Sequence, residues 1–364
     1  MFYRAIGIMS GSSLDGLDIC YVEFDEIGGK WSYDIKAAEC VPYEATWAEK
    51  LKNAISLNAL EYMRLHTEYG HYIGKRISDF ITSHQLNHRV QLIGSHGHTT
   101  FHEPERLMTG QIGDGAAIAV ETGVNVVSDL RAMDVALGGQ GAPIVPIGEK
   151  LLLGNYTYFL NLGGIANVSG NQIAFDICPA NKVLNLLVQE MGHDYDDGGS
   201  IAASGTINQT LLNQLNTLDY YTKPFPKSLA NDFGIDVVYP LIKQAENNIP
   251  DALATMVEHV AVQIANAVES IKSMNESEPE EKETMLVTGG GAFNHFLIER
   301  IAAQLTELNV EIVVADKTLI EFKEAMIMAL MAVLRWREES NVLQSVTGAI
   351  RSSIGGAVWI GQEA

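Results

Sequence analysis

Cysteine is scarce: Cys20, Cys40 and Cys178 are the only three in 364 residues, and none forms a CxxC pair. That excludes a disulfide framework, a thioredoxin-like motif and a cysteine-built structural zinc site. Positive charge is short too, with 24 Lys and Arg against 45 Asp and Glu, a net charge of -21. Such a field repels nucleic-acid phosphates and anionic lipid, so neither nucleic acid nor a membrane is expected as a main partner. A few placed cations and main-chain amides still leave room for a small anionic ligand. No apolar run approaches the ~20 residues of a membrane span. The opening stretch Met1–Ser10 reads as a buried strand rather than a secretory leader, and the expected compartment is the cytoplasm. Two common nucleotide signatures are also missing: there is no GxxxxGK[ST], and no GxGxxG follows a strand. If the chain binds ATP, it does so by another geometry.

What the sequence does have is apolar material and glycine. Hydrophobic residues make up 47% and charged residues 19%, enough for sizeable cores, and the length predicts about two domains. The 33 glycines cluster at the ends of apolar runs. Ala5–Met9 reads as a strand, Gly11–Gly16 as a turn, Leu17–Phe24 as a returning strand, and Gly28-Gly29 as a turn before Trp31–Ala38. The pattern recurs about 150 residues later: strand Tyr156–Leu162, turn Gly163-Gly164, short strands Ile165–Val168 and Ile173–Asp176. This spacing suggests an internal duplication, each copy opening one lobe. Leu253, Val257, Val260, Ile264, Val268 and Ile271 form a helical stripe. Asn275–Glu283 reads as a solvated loop, Met285–Val287 as a strand and Thr288–Gly291 as a sharp turn. Helix Phe293–Leu305, strand Val310–Val314 and helix Phe322–Trp336 follow. Strands alternating with helices, with hairpins among them, predict an α/β protein with mixed sheets. No long linker separates the lobes, so a cleft between them is expected.

Five segments are candidates for chemistry. In Gly11-Ser12-Ser13-Leu14-Asp15-Gly16-Leu17-Asp18, glycines let main-chain N–H groups converge, serines add donors, and an Asp could hold a divalent ion against phosphate. A plain hairpin turn explains the segment equally well. Thr288-Gly289-Gly290-Gly291-Ala292-Phe293-Asn294 lets a flat ligand or phosphate approach the main chain beside a helix. Three consecutive glycines cost more entropy than routine packing needs, which favours function. In Asp129-Leu130-Arg131-Ala132-Met133-Asp134, ahead of Gly138–Pro143, an Arg between carboxylates suits an anionic or polyhydroxy ligand; a salt-bridge cluster explains it nearly as well. Asn161–Asn167, with Phe175-Asp176 following, places a carboxylate at a strand end where a general base would serve, or an Asp that only caps a loop. Gly94–Thr99 with His102 offers three histidines, better suited to hydrogen bonding or loop packing than to a metal.

Taken together, these strings resemble the anhydro-N-acetylmuramic acid kinase family. The likeness covers Gly7–Asp18, Gly94–His102, Gln111–Pro146, Asn161–Asn167, Phe175–Asn181, Pro226–Ser228, Thr288–Asn294, Glu324–Ala329 and Thr347–Ala349, in the family's order. It implies the hexokinase–actin–chaperone superfamily: two lobes with ribonuclease-H-like mixed-sheet cores and ATP in the cleft. The N-terminal lobe would comprise 1–135 plus 345–364, and the C-terminal lobe 136–344. The implied reaction adds water at C1 of 1,6-anhydro-N-acetylmuramic acid while O6 takes the γ-phosphoryl of ATP. The product is N-acetylmuramic acid 6-phosphate, made in peptidoglycan recycling. In that scheme Asp176 is the catalytic base. Gly11, Ser12, Ser13, Leu14, Asp15, Gly16, Leu17, Asp18, Gly163, Gly164, Gly289, Gly290, Gly291 and Asn294 serve ATP. Ser95, His98, Arg131, Asp134, Asn167 and Glu324 serve the sugar, and Asp15 holds Mg²⁺. A homodimer is left open.

The chain departs from the family's usual pattern in places. Ile177-Cys178-Pro179-Ala180-Asn181 stands for Thr-Gly-Pro-Gly-Asn, Asn185 for Asp, His98 for Gln, and Leu229-Ala230-Asn231 for Thr-Gly-basic. These changes bear on the sugar more than on the fold. A kinase for a different sugar, or a non-catalytic nucleotide or sugar sensor, are the alternatives.

Overall fold

The computed structural model describes residues 1–11, 14–171, 173–224, 227–229, 232–245, 247–274 and 282–361. Its strands, in chain order, are β1 Phe2–Ser10, β2 Gly16–Ile27, β3 Lys30–Pro42, β4 Leu92–Glu103, β5 Met108–Ile112 and β6 Asn125–Ser128. They continue as β7 Tyr158–Leu162, β8 Ile165–Gly170, β9 Ile173–Pro179, β10 Glu283–Thr288, β11 Val310–Val314 and β12 Ala357–Trp359. The chain divides into two compact units, Met1–Gly154 with Phe322–Ala364, and Asn155–Glu321. Segments 136–154 and 322–344, expected in the second lobe, therefore belong with the first unit. Side chains distant in sequence hold these two segments to each other. The Lys323 ammonium pairs with Glu149 at 3.1 Å, both nearly buried, and Gly148 lies hard against the Ile327 side chain.

The two units repeat one topology. In the first, β3-β2-β1-β4-β6 lie in that order, with β12 beyond β6 and β5 beside β4. There β1, β2 and β3 are antiparallel neighbours, while β1–β4 and β4–β6 are parallel. In the second, the order is β9-β8-β7-β10-β11, again three antiparallel strands followed by parallel pairings of β7–β10 and β10–β11. This is the mixed α/β architecture, duplicated, that the glycine spacing foretold. Helical cover in the second unit comes from Ile249–Lys272, whose Leu253, Val257, Val260, Ile264, Val268 and Ile271 are all fully buried. Asn248 caps this helix by accepting from the Asp251 N–H.

The helix read at Phe322–Trp336 spans Lys317–Trp336, and its part from Phe322 onward lies on the first unit's sheet almost without spacer atoms. Gly7 of β1 and Gly94 of β4 are register partners. A Cβ on Gly7 would stand 1.7 Å from the Ala325 carbonyl oxygen, and one on Gly94 would stand 2.1 Å from that of Met328. Bare main chain at both positions lets the helix backbone settle directly onto the strands.

Candidate active site

The first unit gathers the segment after β4 and the Arg131 motif. Ser95, His96 and His98 are buried on β4. A register shift between β1 and β4 sets Ser10 opposite His98, with the Ser10 Oγ 3.0 Å from His98 Nδ1. The Tyr43 hydroxyl donates to the same Ser10 oxygen at 2.8 Å. Among the described residues, three of the polar atoms sealed from solvent without a hydrogen-bond partner belong to these segments: Ser95 Oγ, His96 Nε2 and Arg131 Nε. Leaving such groups unpaired costs about 1–3 kcal/mol each, a cost that a polar ligand would relieve. Burial lowers the Arg131 pKa from its ordinary value, and the Glu324 carboxylate opposes that shift. Glu324 is thus close enough to Arg131 for its charge to act on it. Burial also lowers His98 and His102. Among the described residues no group of three His, Cys, Asp or Glu side chains could hold a metal ion.

Asp134 has a different employment. It is fully buried, and its Oδ2 accepts from the Gly141 N–H at 2.8 Å while Oδ1 accepts from the Thr347 hydroxyl at 2.8 Å. One oxygen holds the Gly138–Gly141 bend and the other the Thr347 side chain, so both carboxylate oxygens already have protein partners. On the first glycine segment, Ser12 and Ser13 lie outside the described residues. Leu14 has φ 58°. Asp15 is exposed, with its Oδ1 accepting from the Gly16 N–H at 3.0 Å. Leu17 is buried in β2 and Asp18 half-buried beside it.

The second unit brings together the other glycine segments and Asp176. Gly163 and Gly164 turn β7 into β8, and their carbonyls accept from the N–H groups of Asn181 and Ala180 at 3.1 and 2.8 Å. Gly289 has φ 82°, and a Cβ there would stand 2.6 Å from the Asn161 Oδ1; one on Gly291 would stand 2.7 Å from the Leu162 Cβ. The two segments therefore pack on each other, and packing demands two of the three consecutive glycines. Gly290 alone has open room, its nearest atom 4.0 Å away. Asn294 caps helix His295–Thr306, its Oδ1 accepting from the Leu297 N–H. That is a structural use of a residue assigned to ATP by resemblance.

Asn167 on β8 and Asp176 on β9 are cross-strand partners beside a bulge. Asp176 is partly buried, and burial raises its pKa above the ordinary carboxylate value. The Leu229 N–H, donating to Asp176 Oδ2 at 2.9 Å, pulls it back. The other oxygen has no hydrogen-bond partner among the described residues. The Tyr220 hydroxyl donates to the Asp176 carbonyl at 2.6 Å, and the Asp176 N–H donates to the Lys227 carbonyl at 3.2 Å. Tyr220 and Leu229 were not among the expected site residues. Their sequence signals are the neighbouring Pro226–Ser228 string, of which Pro226 lies outside the described residues, and the departure at Leu229 from the family pattern.

A model of the anhydro-N-acetylmuramic acid kinase family matches residues 3–361. The chain belongs to the anhydro-N-acetylmuramic acid kinase family. Relatives bearing that name agree along nearly their whole length. The protein from Photobacterium profundum is 34% identical over 376 residues, covering 98% of each chain. That from Aliivibrio fischeri is 33% identical over 374 residues, covering 98% of this chain and 99% of the relative. That from Synechococcus elongatus is 31% identical over 383 residues, with the same coverage. No helix among the described residues is long and apolar enough to cross a membrane.

Two buried histidines give a stability prediction. Burial lowers His96 to about 3 and His259 to about 3, against an unfolded value near 6.5. Below that value the unfolded chain binds the extra protons, so stability falls as pH falls. The urea midpoint is expected to drop between pH 7.5 and 5.5, and His259→Gln should flatten the dependence. A midpoint constant across that range would contradict it.

Proposed function

We propose that the chain is a kinase that opens 1,6-anhydro-N-acetylmuramic acid with water and phosphorylates O6 from ATP, in peptidoglycan recycling. Beyond family membership, one observation supports this reading most: Asp176 is a half-buried carboxylate with one oxygen anchored by the Leu229 N–H and the other without a partner among the described residues. That is the state a base needs before it takes a proton. In the 1,6-anhydro sugar O6 is tied to C1, so no hydroxyl is free to attack phosphorus. Asp176 takes a proton from water as the water oxygen bonds to C1. The C1–O6 bond breaks, and O6 bonds to the γ-phosphorus as ADP leaves. The balance is sugar, water and ATP to the 6-phosphate, ADP and one proton. Arg131 with Glu324, Ser95, His98 and Asn167 would hold the sugar. The Gly11–Asp18, Gly163-Gly164 and Gly289–Gly291 segments would present N–H groups to the phosphates.

Mg²⁺ fits the residues present. It takes one or two carboxylates beside phosphate oxygens and water rather than an all-protein cage, and the exposed Asp15 carboxylate is such a donor. Bound there, the ion would neutralise phosphate charge. Asp15→Asn is expected to leave the fold intact and to weaken Mg²⁺-dependent turnover. Unchanged activity and an unchanged Mg²⁺ requirement would return the segment to a hairpin turn. We further propose that the enzyme works in the cytoplasm, where ATP is available.

ADP release coupled to a panel of anhydro and ordinary amino sugars tests the reading. The 1,6-anhydro muramic sugar should be the best substrate. Preference for another sugar would support the related kinase, in view of the changed residues after Asp176. Binding of nucleotide and sugar without ADP release would support a sensor.

A further inference from the structure

We infer that Tyr220 and the main-chain N–H of Leu229 are the positioning groups that aim Asp176, holding its carbonyl and one carboxylate oxygen so that the other oxygen faces the water. The inference rests on the reading of Asp176 as the base and extends it. Asp176 lies on β9, which among the described residues pairs with β8 alone and forms the sheet edge. An edge strand leaves main-chain groups without ladder partners. At Asp176 those groups are taken by one returning segment: its N–H by the Lys227 carbonyl, its C=O by the Tyr220 hydroxyl and its Oδ2 by the Leu229 N–H. Three contacts on one residue fix the strand and the side-chain rotamer together.

The segment is itself anchored. The Tyr221 ring meets His259 edge-on. The His259 Nδ1 lies 2.6 Å from the Asn216 Oδ1, an acceptor that also receives the Gln263 amide. His259 Nδ1 therefore carries the proton, and Nε2 accepts from the Tyr221 hydroxyl at 2.9 Å. The Lys227 ammonium sits over the Tyr220 and Phe175 rings. This polar chain roots the segment in the buried face of helix Ile249–Lys272.

The contact from Leu229 is main-chain, so it does not depend on the side chain there. That explains how Leu229 can stand where the family pattern has Thr without loss of the donor. The titratable groups around Asp176 are Tyr220 and Lys227 from this segment, Cys178 on β9, and His259 behind Tyr221. Burial raises Tyr220 and Cys178 and lowers His259, so these three are neutral at neutral pH. Lys227 supplies the nearby positive charge.

The test compares Leu229→Pro, which deletes the N–H, with Leu229→Ala, which keeps it, in the full-length enzyme. The readout is the acid limb of kcat/KM for the sugar. Leu229→Pro should move that limb upward by about one pH unit, because a hydrogen bond favouring the ionised carboxylate is lost. Leu229→Ala should leave the limb in place. Should the proline variant fail to fold, Tyr220→Phe decides. It should lower kcat by about tenfold, with the KM for ATP unchanged, since small misplacement of a reacting group is costly. A limb unmoved in a folded Leu229→Pro enzyme, or an unaltered kcat in Tyr220→Phe, overturns the inference. The parent reading fails separately, if Asp176→Asn itself retains turnover.

Discussion

Asp176→Asn should lower turnover by at least ~10²–10⁴-fold, the usual worth of general-base assistance, while ATP still binds. The amide keeps the shape of the side chain, and its oxygen can still accept from the Leu229 N–H that now bonds Oδ2. What is lost is the basic lone pair on the oxygen that has no hydrogen-bond partner among the described residues. The loss should fall in kcat, with the nucleotide KM little changed, because the contact matters when the proton moves. Burial raises the carboxyl's pKa, so the wild-type rate should decline on acidification through a limb above the ordinary carboxylate range. Steady-state ADP release and a pH profile check both points. A variant with near-normal turnover would spare the kinase assignment and require another base.

Gly7→Ala is expected to cost about 3 kcal/mol or more of stability, at or above the upper end for overpacked cores. The added methyl would meet the Ala325 carbonyl at 1.7 Å and the Ala329 nitrogen at 2.7 Å. These are main-chain atoms of a helix, which cannot swing aside as a flexible side chain would. The helix must move off the sheet, taking with it Glu324, one residue before the clash and a charge that acts on Arg131. A melting temperature lowered by roughly 10 °C should therefore accompany a raised sugar KM. Gly290→Ala is the contrast: with its nearest atom 4.0 Å away, it should melt like the wild type and alter only nucleotide affinity. A Gly7→Ala protein that melts within about 2 °C of the wild type would contradict the packing account.

The legible part of this fold was local. Glycine turns between short apolar runs located the hairpins of both units, and the stripe from Leu253 to Ile271 located its helix, because turns and helical faces are written in consecutive residues. The unit boundaries were not legible. Phe322–Trp336 joins the first unit through Gly7 and Gly94, some 300 and 230 residues earlier, and nothing near position 322 announces it. The hydrogen bond between Asp134 and Thr347 was hidden in the same way, since the two residues lie 213 apart. The cap at Asn294 is legible, since an Asn directly before a helix is a common N-cap. Tyr220 and Leu229 reach Asp176 across 44 and 53 residues, and one of the two contacts is main-chain, which leaves no trace in residue type.

The central claim is that water attacks the sugar, not ATP. The wild-type reaction run in water carrying heavy oxygen, followed by mass spectrometry of the product, tests it directly. The account predicts one labelled oxygen on C1 of the sugar 6-phosphate and none in the phosphate. Label in the phosphate, with C1 unlabelled, would mean that water attacks phosphorus, and the proposed opening of the acetal would be wrong.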